Sequence, residues 1–335
     1  MTCEYIVGCR NSRAEQSRAE QSRAEQSRAE PIETYYQSLK TSKTENSGIR
    51  FGQWCTSAWN KCPFRHSRCA TSVLYKLRRI VYGKRDQQVG YGGSYKILEH
   101  EKEYKKLYDL LSDEKSRKTL MCILRYRITG DFELLHAESD FIFNQYFDKN
   151  IMQFTDSEVF VDCGGFVGDT TEMFISRIRN FSKIYLYEPE KGNYEKASHY
   201  LSTWEGEVFD KIVLRNAGVG KERASLKISS GGSGSHISQS GDQEVQITSL
   251  DDDINEPVTF IKMDIEGFEL DALTGAKNHI IMEKPKLAIC VYHKPDDLWQ
   301  IPEYILQLNP SYKLYLRQYK AGDGNNAWES VLYAV

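Results

Sequence analysis

The sequence predicts an α/β protein: a mainly parallel, seven-stranded sheet in the C-terminal half, preceded by a small helical domain. Three observations lead there. From Glu158 onward, short apolar runs alternate with helix-like stretches, the pattern of α/β architecture. Residues 94–147 instead carry apolar residues at helical spacing. A last run, Ser330–Val335, is reached by a short link, so it joins a sheet whose other strands need crossovers as an antiparallel neighbour.

Bulk composition narrows the class. The 335 residues leave room for two domains of ~100–200 residues each. Hydrophobic and charged fractions of 40% and 27% are ordinary for a globular protein, so a sizeable core can form. A formal net charge of −3 speaks against a basic nucleic-acid binder, and no nucleic-acid partner is expected. No run approaches the ~18 apolar residues of a membrane span, and the N-terminus shows no secretory pattern. The eight scattered Cys then read as reduced thiols in a cytoplasmic protein.

Residues 1–45 read as a disordered polar leader. Ser-Arg-Ala-Glu-Gln runs from Ser12 to Gln16, recurs from Ser17 and Ser22, and starts again at Ser27 before Pro31 breaks it. So short and polar a period buries no apolar face. The codons AGC-AGA-GCA-GAG-CAG would encode the unit as one five-base word read three times. The leader is read either as a slippage-prone, frame-switching DNA repeat or as a neutral polar tail.

Residues 46–150 are assigned to the helical domain. Within them, 61–85 hold eight Lys or Arg and no acidic residue. Val73, Leu74, Leu77, Ile80 and Val81 recur there at helical spacing. A basic amphipathic helix can lie peripherally on the anionic inner surface of a membrane. Packing on its own domain with a solvated basic face is the plainer reading. Further on, Ser112 is the expected N-cap of a helix whose first turn holds Asp113 and Glu114. Leu120, Leu124 and Ile128 share one face of it, and Gly130 stops it.

Residues 151–335 form the α/β domain. Its apolar runs are Val159–Cys163, Ile184–Tyr187, Ile212–Arg215, Val258–Met263, Leu287–Tyr292 and Tyr312–Leu316, before the last one. The Gly- and Ser-rich stretch Ser229–Gly241 reads as a flexible loop between two shorter strands.

Chemistry gathers where the runs end, since ligands of open α/β sheets sit beyond the C-terminal strand ends. The first run opens into Asp162-Cys163-Gly164-Gly165-Phe166-Val167-Gly168-Asp169, and Thr170 leads into a helix. The second ends in Tyr187-Glu188-Pro189, with Glu188 near the distance at which an acid grips a ribose hydroxyl. A carboxylate at Asp162 would repel a pyrophosphate, whereas the ammonium and sulfonium of S-adenosylmethionine suit it. That favours a methyl donor over a nicotinamide dinucleotide; a plain helix cap is the alternative for Asp162. The fourth run ends in Lys262-Met263-Asp264-Ile265-Glu266-Gly267-Phe268-Glu269. These acids could hold a substrate hydroxyl, orient the donor or bind a divalent ion, or simply start a helix, which fits Glu269 best and Asp264 least. His293 closes the fifth run and is a candidate base for a hydroxyl proton, with an unperturbed pKa of about 6.5. Arg317 and Tyr319 close the sixth and could bind an acidic substrate.

Together, residues from about Ile151 to Val335 resemble the FkbM-type methyltransferase family. The resemblance rests on Val161-Asp162-Cys163-Gly164-Gly165 with Gly168-Asp169-Thr170, on Tyr187-Glu188-Pro189, and on Ser249-Leu250-Asp251-Asp252. It rests most on Lys262-Met263-Asp264-Ile265-Glu266-Gly267 with Glu269. The segments Tyr126-Arg127-Ile128-Thr129-Gly130-Asp131 and Gln145-Tyr146-Phe147 resemble what precedes the domain in bacterial members. The resemblance implies a Rossmann-like methyltransferase domain that uses S-adenosylmethionine for O-methylation, often on sugars of surface glycans or secondary metabolites. It implies donor contacts at Asp162, Gly164, Gly168 and Glu188; Gly165, Thr170, Asn216 and Asp264 are counted with them. His293 and Asp264 are then the catalytic pair, with Glu266, Arg317 and Tyr319 on the acceptor side and no metal ligand assigned. Gln318 departs from the pattern, since the family often has a His there.

Some signals are set aside. Cys55, Cys62 and Cys69 are spaced too widely for a usual zinc site, even with His66 nearby. Gly164 and Gly165 explain the turn without Cys163 as a nucleophile, and His236 reads as an ordinary loop residue. Two rival functions stay open: a nicotinamide-dependent oxidoreductase, and a module that binds donor or glycan without turnover.

Overall fold

The computed structural model describes residues 97–129, 132–204, 207–229, 236–237, 243–320 and 329–335, with Thr34 and Gln37. The Ser-Arg-Ala-Glu-Gln leader, the basic stretch 61–85 and the Cys55, Cys62, Cys69 and His66 group lie outside them. Among the described residues no helix is long and apolar enough to cross a membrane.

These residues divide into two compact units. The first holds the described residues up to Asp109 with 127–129. Its helix α1, Glu101–Leu110, buries Tyr104, Leu107 and Tyr108. Arg127 donates to the Tyr104 hydroxyl at 3.3 Å.

The second unit holds 110–126 and 131 onward, so it begins well before the expected boundary at 150. Helix α2, Glu114–Thr129, is tied to the sheet of this unit through its N-terminus. Its cap is Asp113 rather than Ser112: Asp113 Oδ1 accepts from the Ser116 amide at 2.7 Å, while the Ser112 amide donates to Leu314 O at 2.8 Å. Short α3, Phe132–His136, and a two-residue strand β1, Asp140–Phe141, follow.

The seven apolar runs all become strands: β2 Val159–Cys163, β3 Lys183–Tyr187, β4 Ile212–Arg215, β9 Phe260–Met263, β10 Lys286–Cys290, β11 Leu314–Lys320 and β12 Ser330–Ala334. Helices α4 Asp169–Arg177, α5 Lys191–Leu201, α6 Glu207–Asp210 and α7 Leu250–Asp253 occupy connections between them. The strand order across the sheet is β1-β11-β12-β10-β9-β2-β3-β4. Only β12 runs antiparallel to its neighbours, wedged between β10 and β11. The short β1 adds an eighth, parallel strand at the edge beside β11. Continuous apolar burial explains the runs: all five residues of β2 and all four of β9 are buried. Rings fill the space beneath, with Phe160 stacked on Phe174 at 4.5 Å and on Phe260 at 4.7 Å.

Between β4 and β9 a second sheet is inserted, ordered β5-β8-β6-β7, from β5 Gly218–Val219, β6 Ala224–Ser229, β7 His236–Ile237 and β8 Gln243–Thr248. The Gly- and Ser-rich stretch therefore contributes a short strand of its own, paired antiparallel with β6. In the main sheet β2 lies between β3 and β9, so the chain winds outward in both directions from the β2–β9 pair. That is the switch point at which α/β sheets open a crevice.

Candidate active site

The turn after β2 is shaped from within. Gly164 has φ +80°, and a Cβ on it would lie 2.0 Å from the Asp264 carbonyl oxygen. A Cβ on Gly165 would lie 2.3 Å from Leu186 Cγ. Gly168, at φ +90°, is the N-cap of α4. These glycines answer first to backbone and side chains of their own fold, and the turn they make leans directly on the loop after β9. The amides of Gly164 and Gly165 both donate to Tyr187 O at 3.0 Å. Thr170 is buried in the first turn of α4, its amide on Asp169 Oδ1 at 2.9 Å.

Asp162 is placed differently from the expectation. Register sets it beside Lys262 on β9, and the two are an ion pair at 2.9 Å, both almost wholly buried. Its Oδ2 accepts from Thr171 Oγ1 at 2.9 Å. Lys262 reaches on to the Gly164 carbonyl at 2.8 Å. Burial opposes the charge on Lys262, but Asp162 and Asp264 beside it raise its pKa above the ordinary lysine value. The carboxylate of Asp162 is thus balanced inside the sheet by Lys262 and Thr171. Its charge does not discriminate between methyl donor and dinucleotide; its work is to hold the turn.

Glu188 lies directly after β3. It is buried, with Oε2 accepting from the Phe166 amide and Oε1 from the Glu190 amide, both at 2.9 Å. It binds the glycine turn to the next strand end, and burial raises its pKa against those hydrogen bonds. Asn216, after β4, holds the same loop by donating to Glu188 O at 2.9 Å and Pro189 O at 3.2 Å.

The loops after β9 and β10 meet in a compact polar cluster. Asp264 Oδ2 accepts from the Tyr146 hydroxyl at 2.8 Å, and Oδ1 accepts from the Tyr292 hydroxyl at 3.1 Å. His293 Nε2 lies 3.3 Å from Asp264 Oδ1 and 3.7 Å from Glu266 Oε2. Its Nδ1 lies 2.8 Å from Oε1 of the fully buried Glu269. Glu269 opens α8, Glu269–Thr274, and its Oε1 also accepts from the Ile265 amide at 3.0 Å, so it both starts a helix and faces the histidine. Burial alone would lower the His293 pKa; Glu269, with the charges of Asp264 and Glu266, raises it to about 9. In this arrangement His293 is an imidazolium at neutral pH, not the free base expected from its ordinary pKa. Burial pushes the Asp264 carboxyl up, but Lys262, His293 and the two tyrosine hydroxyls hold it below the ordinary aspartate range. Asp297 stands close by, its carboxyl raised to about 6 by burial and by the charge of Glu269.

Strain gathers at this rim. Tyr146, Phe166, Glu266 and Glu329 all have left-handed backbone, with φ of 65°, 45°, 56° and 87°.

Arg317 and Tyr319 are corrected. Arg317 is buried and fully engaged: Nη2 meets Asp113 at 2.6 Å, Nε meets Asp148 at 3.2 Å, and Nη1 donates to Ser116 Oγ at 2.8 Å and Leu316 O at 3.0 Å. The Tyr319 hydroxyl pairs with that of Tyr333 at 2.6 Å in the core. Neither is open to an acceptor. Gln318 is buried too, its amide donating to Tyr319 O at 3.2 Å. Glu266, with its side chain 41% exposed, does face solvent beside His293. Residues that sequence reasoning passed over are Tyr146 and Tyr292, whose hydroxyls position Asp264.

A Rossmann-like methyltransferase domain is the class that this fold fits, with the antiparallel β12 and the acids after β3 and β9. Residues 162–319 match the model of the methyltransferase FkbM domain. The chain is 29% identical to a methyltransferase FkbM from Methylobacillus flagellatus KT, with a TM-score of 0.65 over 72% of this chain and 60% of that one. The chain thus spans about 60% of the length of that relative. An rRNA methylase from Streptococcus thermophilus is 16% identical with a TM-score of 0.34, over 53% of this chain and 86% of that one. SMU.1697c, a putative methyltransferase from Streptococcus mutans in complex with SAH, is 12% identical with a TM-score of 0.34, over 56% and 92% of the two chains. No curated protein matches the chain.

Proposed function

We propose that the protein is an S-adenosylmethionine-dependent O-methyltransferase, acting on a hydroxyl of a small-molecule or glycan acceptor, a sugar of a surface glycan or secondary metabolite being the class favoured. The observation that carries this is the contact of the glycine turn with the Asp264 loop inside the stretch that matches the methyltransferase FkbM domain: a Cβ on Gly164 has no room against Asp264 O. A donor at the turn and an acceptor at Asp264 would be neighbours. The residues present suit the donor: Glu188, directly after β3, would accept from ribose hydroxyls beside the two amides it already holds, and the glycine turn would meet the methionine part through its backbone. S-adenosylmethionine would supply an electrophilic methyl group. Against a nicotinamide dinucleotide stands the family match, since the charge of Asp162 no longer decides it.

The protein's part is chiefly alignment of two reactants. As the O–CH3 bond forms and the S–CH3 bond breaks, the acceptor oxygen becomes strongly acidic. A carboxylate held ionised can then take its proton even with a depressed pKa. Asp264 fills that role, His293 keeps it ionised and orients it, and Tyr146 and Tyr292 fix its plane. A cytoplasmic enzyme is expected from the cysteine pattern, with 61–85 as the segment for any peripheral membrane contact.

Calorimetric titration with S-adenosylhomocysteine and, separately, with NAD tests the donor. Binding of the first alone supports the proposal; binding of NAD alone moves the protein to the oxidoreductases. His293→Ala should abolish turnover while donor affinity stays within a few-fold. Turnover near wild type would remove His293 from the mechanism.

A further inference from the structure

We infer that Asp264, Glu269 and His293 form a site for one divalent metal ion. One ligand atom from each lies within 4.8 Å of those of the other two. Small divalent ions hold oxygen and nitrogen ligands at about 2.0–2.2 Å, which sets neighbouring ligands about 3–4 Å apart. The cluster already stands near that spread. Its members come from three rigid positions: Asp264 follows β9, Glu269 opens α8 and His293 follows β10.

Acids alone would not make a site; the second observation is Glu269. Its side chain is wholly buried, and its Oε2 has no hydrogen-bond partner among the described residues. Its Oε1 accepts from the Ile265 amide at 3.0 Å and lies 2.8 Å from His293 Nδ1, which likewise has no hydrogen-bond partner among the described residues. A buried carboxylate oxygen without a partner is rare in folded proteins, and an ion is one of the few things that explains it. Charge points the same way. Lys262 is paired with Asp162 at 2.9 Å, and His293 faces the carboxylates of Asp264, Glu266 and Glu269 at 3.3, 3.7 and 2.8 Å. Three carboxylates around one imidazole carry more negative charge than it offsets. One ring nitrogen and two carboxylate oxygens make a borderline-to-hard donor set, suited to Mn²⁺, Mg²⁺, Fe²⁺ or Zn²⁺ rather than to a soft ion. No metal ligand is assigned from the sequence, which leaves a divalent ion as one of the roles open to these acids. The inference rests on these three side chains, two of which, Asp264 and His293, also carry the proposed methyl transfer.

The test uses the full chain, freed of metal with EDTA and titrated with Mn²⁺ alone, with free Mn²⁺ read by electron paramagnetic resonance. Wild type should take up one Mn²⁺ saturably. Glu269→Gln and His293→Gln should each weaken uptake by at least about tenfold, the usual scale for lost metal-site residues. Glu114→Gln, on an exposed helix turn, should leave it unchanged. No saturable uptake by wild type, or equal uptake by both site variants, overturns the inference. S-adenosylhomocysteine binding, measured on the same samples, separates the two readings. Donor binding without Mn²⁺ uptake sinks the ion alone, and Mn²⁺ uptake without donor binding sinks the methyltransferase proposal alone. If Glu269→Gln fails to fold by circular dichroism, His293→Gln decides the matter by itself.

Discussion

Arg317→Met removes a guanidinium but keeps much of the side chain's bulk, and it would leave two carboxylates facing each other across a buried gap. Arg317 is 3% exposed, with Asp148 at 8% and Asp113 at 33% on the other side of its ion pairs. Breaking a buried pair by removing one partner costs about 3–5 kcal/mol. Asp113 meets water over a third of its side chain, which places the expected loss at the lower end, about 3 kcal/mol. Urea unfolding followed by tryptophan fluorescence measures it directly. The pH dependence adds a second signature. In the native protein burial would raise the Asp113 carboxyl, but Arg317 and Ser116 bring it down from 3.8 to about 2. A depressed carboxylate contributes stability that is fully present above its unfolded pKa near 4 and disappears as pH falls through about 2. That contribution is at most about 2 kcal/mol and should shrink in Arg317→Met to what the Ser116 hydrogen bonds alone supply. A loss below about 1 kcal/mol, with acid dependence unchanged, would refute the structural role. If KM for an acceptor then rose sharply while stability held, Arg317 would return to the acceptor side.

Two further changes probe the turn. Lys262→Met should destabilise by more than about 3 kcal/mol in thermal denaturation, because Asp162 would be left buried and unpaired; adding Asp162→Asn should recover part of the loss, and strict additivity would contradict the pairing. Gly164→Ala must push the Asp264 carbonyl aside, so donor affinity by calorimetry should fall at least about tenfold, which is about 1.4 kcal/mol; unchanged affinity would remove this turn from the donor site.

Much of the architecture was legible because strands buried on both sides must read as continuous apolar runs, and all seven did. The antiparallel β12 followed from a link too short for a crossover. What failed has a common cause: a residue's place at a strand end does not say what stands opposite. Asp162 looked like a free carboxylate until register set Lys262 beside it. Arg317 looked like a substrate clamp, yet its partners Asp113 and Asp148 lie far back in the chain, in a stretch assigned to another domain. Tyr146 reaches Asp264 across 118 residues, and no spacing rule carries that distance. Ser112 lost the cap to its neighbour Asp113 because the strand beside it claimed its backbone. His293 kept its place and changed its charge, since the carboxylates around it come from a loop and a helix start whose approach only folding reveals.

The left-handed residues around the rim have a consequence for anyone who tries to harden this protein. Tyr146, Phe166, Glu266 and Glu329 each hold a conformation that a side chain resists, at a cost of order 1–3 kcal/mol apiece. A selection for heat resistance would therefore be drawn to these positions, above all to Glu266→Gly, which relieves the backbone at once. It would also erase a carboxylate beside His293. Robustness and chemistry compete here for the same few residues, and a variant library ranked on melting temperature alone would tend to discard the second while improving the first.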